Sequence, residues 1–104
     1  MRRVRSFHRA GRLVPSTARG LKAGSVILRP GGIMDWHSTG EREELLLVLR
    51  GEVRLECQAG RRTRRARVTA GHSLLMPHQT RHRVMNASTR TAQYIYVTAV
   101  AGLR

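Results

Sequence analysis

The segment from Glu44 to Arg50, ELLLVLR, places the strongest limit on the fold, and it ends at Gly51. Alternate side chains of a strand point to opposite faces, so Glu44, Leu46 and Val48 would share one face and three leucines the other. A strand that is apolar on both faces must be covered on both. We therefore predict an interior that includes Glu44. The leucine face needs a cover, either the N-terminal segment or a second copy of the chain.

The rest of the chain repeats this pattern in short apolar or alternating segments that Gly, Pro and polar turns separate. No segment shows a convincing helical period, and an antiparallel sandwich or barrel is therefore predicted. The segment RRTRRAR at 61–67 has no face that could be buried, which predicts an exposed hairpin or edge. The other predicted strands are 25–28, 35–39, 53–58, 73–76, 82–86 and 91–100.

The 104 residues suffice for one domain and are too few for two independent cores. We predict a basic N-terminal arm over residues 1–20 and a single barrel domain over residues 21–104. The arm has the arginine and serine content of a transit peptide, but the arginine excess continues through the chain, which favours an arm that pairs with the sheet or with a partner subunit. No apolar run approaches the roughly 20 residues of a membrane span. With Cys57 the single cysteine, we expect a cytoplasmic protein.

Charge is the compositional anomaly, with a formal net charge of +14. All basic residues except Lys22 are arginine, and all acidic residues lie between positions 35 and 56. This asymmetry predicts an anionic partner, whereas the simpler alternative is a solvated, arginine-decorated surface. The densest basic patch comprises Arg61, Arg62, Arg64, Arg65 and Arg67.

Two histidines and a carboxylate, His37, Glu44 and His82, lie on predicted strands and form a candidate metal site. Neutral imidazoles and one carboxylate suit Fe, Mn, Zn, Ni or Cu as divalent ions, and the sequence does not choose among them. A carboxylate directed into an apolar interior is costly without a cation. An arginine could also supply that charge, so a salt-bridged pocket without metal remains the alternative.

Two motifs resemble those of the cupin superfamily. In the first, five residues separate Gly31 from His37, Thr39 follows His37 by two, and Glu44 and Gly51 complete the order. The second runs from Gly71 through Pro77 and His82 to Asn86. The resemblance covers about residues 21–100 and implies an all-β, cupin-type double-stranded β-helix, that is, a jelly-roll barrel. It also implies a homodimer, the state common in the family.

Carried over by residue, the resemblance implies that His37, Glu44 and His82 are metal ligands. Thr39 stands where a second histidine is expected, and Gln79 replaces a glycine of the second motif. The resemblance therefore implies three protein ligands, with water, His78 or Gln79 completing the shell. Tyr94 and Tyr96 share a face of the last strand and either line the mouth of the pocket or pack in the core.

Three functions compete at this point. The first is a metal-dependent enzyme, of dioxygenase or isomerase type, that acts on a small anionic molecule. The second is a non-catalytic module that binds or senses a small molecule or a metal. The third is a nucleic-acid binder that uses the arginine-rich surface, and we rank it last because no aromatic residue is interleaved with the arginines of RRTRRAR.

Overall fold

The computed structural model describes residues 4–101. This range holds no helix with the length and apolar character that crossing a bilayer requires. Its strands, in chain order, are β1 (Gly11–Arg12), β2 (Leu21–Leu28), β3 (Ile33–Ser38), β4 (Arg42–Arg50), β5 (Glu52–Ala59), β6 (Arg62–Thr69), β7 (Ser73–Met76), β8 (Arg81–Met85) and β9 (Ala92–Val100).

The strands form two antiparallel sheets. One has five strands in the order β1-β2-β9-β4-β7, and the other has four in the order β3-β8-β5-β6. Along the chain, successive strands cross repeatedly from one sheet to the other, as they do in a jelly roll. The prediction of an all-β jelly-roll fold is confirmed.

The core lies between the two sheets. Leu46 and Val48 of β4 are 0% and 2% exposed, and Leu55 of β5 and Val84 of β8 approach them from the opposite sheet with 0% and 1% exposure. Full burial of a side chain of this size stabilises the fold by roughly 1.5–3 kcal/mol. The alternation predicted for β4 is confirmed, since Glu44, which shares a face with Leu46 and Val48, is also buried.

The leucine face of β4 forms part of the outer face of the five-stranded sheet. All three leucines of this face are half-buried. Part of the same outer face is covered by the N-terminal segment, residues 4–20. The carbonyl of Phe7 accepts hydrogen bonds from the hydroxyl of Ser25 and the side-chain amide of Gln93, both at 2.8 Å. The segment is also tied to the sheet through pairing of β1 with β2.

Several strands extend beyond the segments predicted for them, and β2 and β6 are the clearest cases. β2 begins at Leu21 rather than at residue 25, since it pairs with β9 along its whole length. The arginine-rich segment becomes the regular edge strand β6, which pairs residue by residue with β5. In both cases the hydrogen bonds of a neighbouring strand stabilise an extended backbone that the side-chain pattern alone does not specify.

Candidate metal centre and cavity

His37 and His82 are directly paired across β3 and β8 in the four-stranded sheet. Their ring centroids are 4.2 Å apart, with an angle of 61° between the ring planes. The register of β3 shifts between Met34 and His37, which marks a bulge. Because a bulge changes the direction of the side chains that follow it, the irregularity helps to aim His37 at the space between the sheets.

Glu44 reaches the two histidines from the opposite sheet. Its Oε2 lies 3.6 Å from Nε2 of His82, and the side chain is 10% exposed. One ligand atom from each of the three residues lies within 4.8 Å of the others. The structure therefore brings His37, Glu44 and His82, the ligands predicted from the sequence, together in one cluster.

Hydrogen bonds to the backbone fix both imidazole rings. Nδ1 of His37 lies 2.7 Å from the carbonyl of Asp35, and Nδ1 of His82 lies 3.1 Å from the carbonyl of Thr80. A carbonyl only accepts, so Nδ1 carries the proton, and Nε2 of the neutral ring keeps its lone pair. Outer hydrogen bonds of this kind orient the histidine ligands of metal sites.

The Nε2 atom of His82 is buried and has no hydrogen-bond partner within residues 4–101. Buried polar atoms without a partner are rare, since losing the hydrogen bonds to water costs about 1–3 kcal/mol. A cation between Nε2 and the Glu44 carboxylate would satisfy both groups. Divalent transition metals bind a donor set of two imidazoles and one carboxylate and keep further coordination positions open for other ligands.

The pKa of His82 is raised above its usual value. Burial of the ring by itself lowers this pKa, but the Glu44 carboxylate and the Thr80 carbonyl raise it by a larger amount because both favour the imidazolium. At 3.6 Å the Glu44 oxygen is too distant for a good hydrogen bond, so its effect is mainly that of a nearby charge. The site attracts positive charge, for which a proton and a metal ion would compete.

Thr39, at the position of the missing histidine, has a structural role in this fold. Its hydroxyl donates to the carbonyl of Pro77 at 2.9 Å and accepts from the backbone N–H of Thr80 at 3.0 Å. These bonds connect the end of β3 to the loop that leads into β8, the strand that carries His82. Thr39 therefore supports one of the candidate ligands through the backbone and is itself 8% exposed.

His78 and Gln79 are not brought to the cluster. Both are exposed, and neither is among the residues that line the adjacent cavity. Gln79 has a φ of 55°, a conformation that glycine adopts without strain. This explains why the resembled motif has a glycine there, and it indicates that Gln79 shapes the loop before β8.

A cavity of about 600 Å³ opens beside the cluster, between the sheets and the N-terminal segment. His37, Thr39 and Glu44 line it, whereas His82 is fully buried behind them. Tyr94 and Tyr96, on the strand next to the one that carries Glu44, form another part of the wall. Both tyrosines were predicted to line the pocket or to pack in the core. Tyr94 does both, and its burial raises the pKa of its hydroxyl.

The basic residues of the cavity wall were not identified from the sequence. Arg12, Lys22 and Arg42 line the cavity, and Glu44 is the one acidic residue among the described residues that do so. The side chain of Arg42 is held in place because its Nε donates to the hydroxyl of Thr98 at 3.1 Å. Lys22 carried a usable signal, since it is the one lysine in an arginine-rich chain and lies next to an apolar strand.

Gly24 is a further residue that the sequence analysis missed. A Cβ at this position would lie 2.6 Å from the hydroxyl oxygen of Tyr96, so only glycine leaves room for the tyrosine ring over β2. A glycine inside a strand is the available signal, because it often marks a close approach of another group.

The five arginines of the predicted basic patch are all exposed. Because β6 is a regular strand, they do not form one surface. Arg65 and Arg67 share a face and pair with Glu56 and Glu52 of β5, whereas Arg64 has the alternate orientation. The patch is thus divided between two sides of an edge strand.

Comparison with known proteins agrees with the fold. The cupin domain family matches the chain over residues 24–98. Among curated proteins, no sequence matches it.

Several solved structures have a similar fold. They include a cupin 2 conserved barrel domain protein from Salinispora arenicola CNS-205 (TM-score 0.74, 24% identity, 89% of this chain and 76% of that chain). The Schizosaccharomyces pombe Cnp3 cupin domain has a TM-score of 0.77 at 14% identity, and the match covers 88% of this chain and 63% of that one. Oxalate oxidase has a TM-score of 0.73 at 21% identity and 78% coverage of this chain, which spans only 42% of the oxidase. Identities this low establish similarity of fold alone.

Proposed function

This chain belongs to the cupin domain family, and on that premise we propose that it binds a divalent metal ion through His37, Glu44 and His82 and presents the ion to a small anionic molecule in the cavity. The observation that carries the proposal is the buried Nε2 of His82, which has no partner among the described residues and lies 3.6 Å from a carboxylate. The proposal is also supported by the proximity of the two backbone-anchored imidazoles and the carboxylate, whose ligand atoms lie within 4.8 Å of one another.

Three protein ligands leave coordination positions free on an ion of this kind. Iron, manganese, zinc, nickel and copper all accept this donor set, and such an ion supplies Lewis-acid or redox chemistry at its open positions. Thr39 does not replace the missing histidine, because its hydroxyl already makes two hydrogen bonds to the backbone. The open side of the cluster faces the cavity, since His37 and Glu44 both line it.

The cavity favours an anionic ligand with an apolar part. Arg12, Lys22 and Arg42 supply positive charge, while Val26 and Tyr94 are among the apolar and aromatic side chains of the wall. A carboxylate or phosphate held by the basic residues would place the rest of the molecule against this wall and near the cluster. Pockets for small molecules commonly combine a largely apolar lining with a few polar groups.

We propose that the protein is an enzyme and that its reaction is of the dioxygenase or isomerase class. The proposal is supported by the open coordination positions and by the structural similarity to oxalate oxidase, which is an enzyme. The second candidate is a non-catalytic binding or sensing module. The threonine at position 39 favours it, because this residue lowers the number of protein ligands from four to three.

Isothermal titration of chelator-treated protein with Mn²⁺ or Zn²⁺ tests the metal site. We expect one ion per chain for the wild type and no measurable binding for His82→Ala. The matched control is His78→Ala, which removes an exposed histidine outside the cavity and should bind like the wild type. Stoichiometric binding by a folded His82→Ala variant would refute the ligand assignment.

We also propose that the protein is a homodimer in solution. Within residues 4–101, the hydrogen bonds that hold the N-terminal segment on the outer face are made to Ser25 and Gln93. Beyond these residues, Leu75 of β7 pairs with Leu45 of β4 and is 59% exposed, so an apolar strip continues to the edge of the sheet. A second copy would present the same strip. The molar mass from light scattering should be that of a dimer, and Leu75→Lys should shift it to the monomer.

A cytoplasmic location completes the proposal. Cys57 is a free, half-buried thiol whose pKa is raised by burial and by the charge of Glu44. A protonated thiol reacts slowly, and free cysteines of this kind are usual in reducing compartments. Fractionation of cells that express a tagged chain would test the location.

A further inference from the structure

The outer face of the four-stranded sheet carries a second concentration of charge, on the opposite side of that sheet from the metal cluster. The cross-strand register places Arg83, Glu56 and Arg65 in one row over β8, β5 and β6. Met85, Arg54 and Arg67 form the next row on the same face. The intervening residues, such as His82, Leu55 and Val84, are buried in the core.

This outer face keeps a positive charge after its ion pairs are counted. On β5, β6 and β8 it carries five arginines against two glutamates. Glu56 pairs with both Arg65 and Arg83, and Glu52 pairs with Arg67. Arg54 and Arg81 make no ion pair within residues 4–101. The face therefore has a net charge of about +3 on an area only three strands, or roughly 10 Å, wide.

An aromatic ring lies next to this charge. Trp36 of β3 is half-buried, and the guanidinium carbons of Arg83 and Arg81 lie 5.0 Å and 5.6 Å from its ring centroid. Both distances are those of cation–π contacts. No aromatic residue is interleaved with the arginines along RRTRRAR, but the fold places Trp36 beside the arginines of β8. This face therefore has the aromatic residue that base stacking requires and that RRTRRAR lacks.

Beside these residues, a shallow depression of about 370 Å³ runs between β8, β5 and β6. Arg54, Arg65 and Arg67 border it, and the side chain of Met85 contributes an apolar surface. Flat guanidinium groups, an indole and an apolar floor on one open sheet match the needs of unpaired bases and their phosphates. In a duplex the base faces are hidden, so this combination favours single strands.

We propose that the outer face of the β3-β8-β5-β6 sheet binds single-stranded nucleic acid. The arginines contact the phosphates, and a base stacks against Trp36 and the guanidinium planes of Arg81 and Arg83. This function is independent of the metal site, which lies on the other side of the sheet. It can therefore fail without affecting the proposal for the cavity.

The experiment uses the full chain, with metal removed by chelation, and a fluorescein-labelled oligothymidylate of about 15 nucleotides, a length within the site sizes of single-strand binders. We expect saturable binding by fluorescence anisotropy and quenching of Trp36, the sole tryptophan. For single strands each neutralised phosphate contributes about −0.7 to the salt slope, so three contacts predict a slope of about −2.

Two variants separate the proposed surface from general attraction to a basic protein. Replacing Arg54 and Arg81 together by Gln should make the salt slope shallower by about 1.4, because two phosphate contacts are lost. Within the described part of the chain neither arginine is paired with a glutamate, so the double variant breaks no ion pair there. The matched control replaces Arg9 and Arg19, exposed residues of the N-terminal segment, with the same change in net charge. Trp36→Leu, checked for folding by circular dichroism, should weaken binding on the order of tenfold.

Three results would overturn the proposal. The first is a loss of affinity in the control variant equal to that in the Arg54/Arg81 variant. The second is tighter binding of a duplex of the same length, because a duplex cannot offer its base faces. The third is full competition by polyglutamate at the same concentration of negative charge, together with unchanged tryptophan fluorescence. That result would show that the surface attracts any polyanion and that no base stacks on Trp36.

Discussion

Replacing Glu44 by Gln separates a metal site from a structural ion pair. The change keeps the size of the side chain and removes the charge that lies 3.6 Å from Nε2 of His82. If the cluster holds a metal ion, the variant should fold in the absence of metal and lose the stabilisation that metal confers on the wild type.

The expected size of this effect follows from linkage. A metal present at one hundred times its Kd stabilises the folded state by about 2.7 kcal/mol. For a domain of about 100 residues this raises Tm by about 10–20 °C. If Glu44→Gln weakens binding a hundredfold, the same metal concentration equals the new Kd, and the stabilisation falls to about 0.4 kcal/mol, or roughly 2–3 °C.

Differential scanning calorimetry of both proteins, with chelator and with Mn²⁺ or Zn²⁺, measures these shifts. Glu43→Gln is the matched control, since this neighbouring carboxylate is exposed and should leave the metal shift intact. Two outcomes contradict the reasoning. In one, Glu44→Gln retains the full metal shift. In the other, metal does not stabilise the wild type, and Glu44→Gln alone costs about 3–5 kcal/mol, as breaking a buried ion pair does.

Two further predictions concern stability. Folding raises the pKa of His82, so protonation of this residue stabilises the folded, metal-free protein. The stabilisation is complete below the pKa of the unfolded chain, about 6.5, and is lost as pH rises through the pKa of the folded protein. Urea unfolding between about pH 6 and 9 should show this decline, and the same series on Glu44→Gln should show a smaller one; equal declines would contradict the assignment. Gly51→Ala should destabilise the fold by about 1–3 kcal/mol, because Gly51 has a φ of 70° and a Cβ would lie 2.7 Å from the carbonyl oxygen of Thr91. Gly60→Ala is the control, with a φ of 64° and open space around it; an equal loss in both variants would show that the close contact adds nothing.

Much of the fold could be predicted from the sequence because the information is local. Alternation along β4 assigned Glu44, Leu46 and Val48 to the interior, and all three are buried. The resemblance of the two motifs to those of the cupin superfamily selected His37 and His82, which the fold then pairs across two strands. Strand periodicity and turn residues act over a few positions, so a single sequence is enough to read them.

The features that the sequence did not yield depend on contacts between distant segments. Arg12 reaches the cavity because β1 pairs with β2, whereas Lys22 and Arg42 face it from the starts of β2 and β4. Trp36 meets Arg83 only through the register of β3 and β8. Cross-strand register is set by the whole sheet, so side-chain patterns within one strand could not reveal these neighbours.

The most direct test of the central claim is a crystal structure of the protein grown with Zn²⁺, with diffraction data collected on both sides of the zinc absorption edge. The metal-site proposal predicts one anomalous peak per chain at roughly 2.0–2.2 Å from Nε2 of His37, Nε2 of His82 and an oxygen of Glu44. An ordered cluster with no peak, or a peak bound by other residues while these three stay uncoordinated, would contradict it.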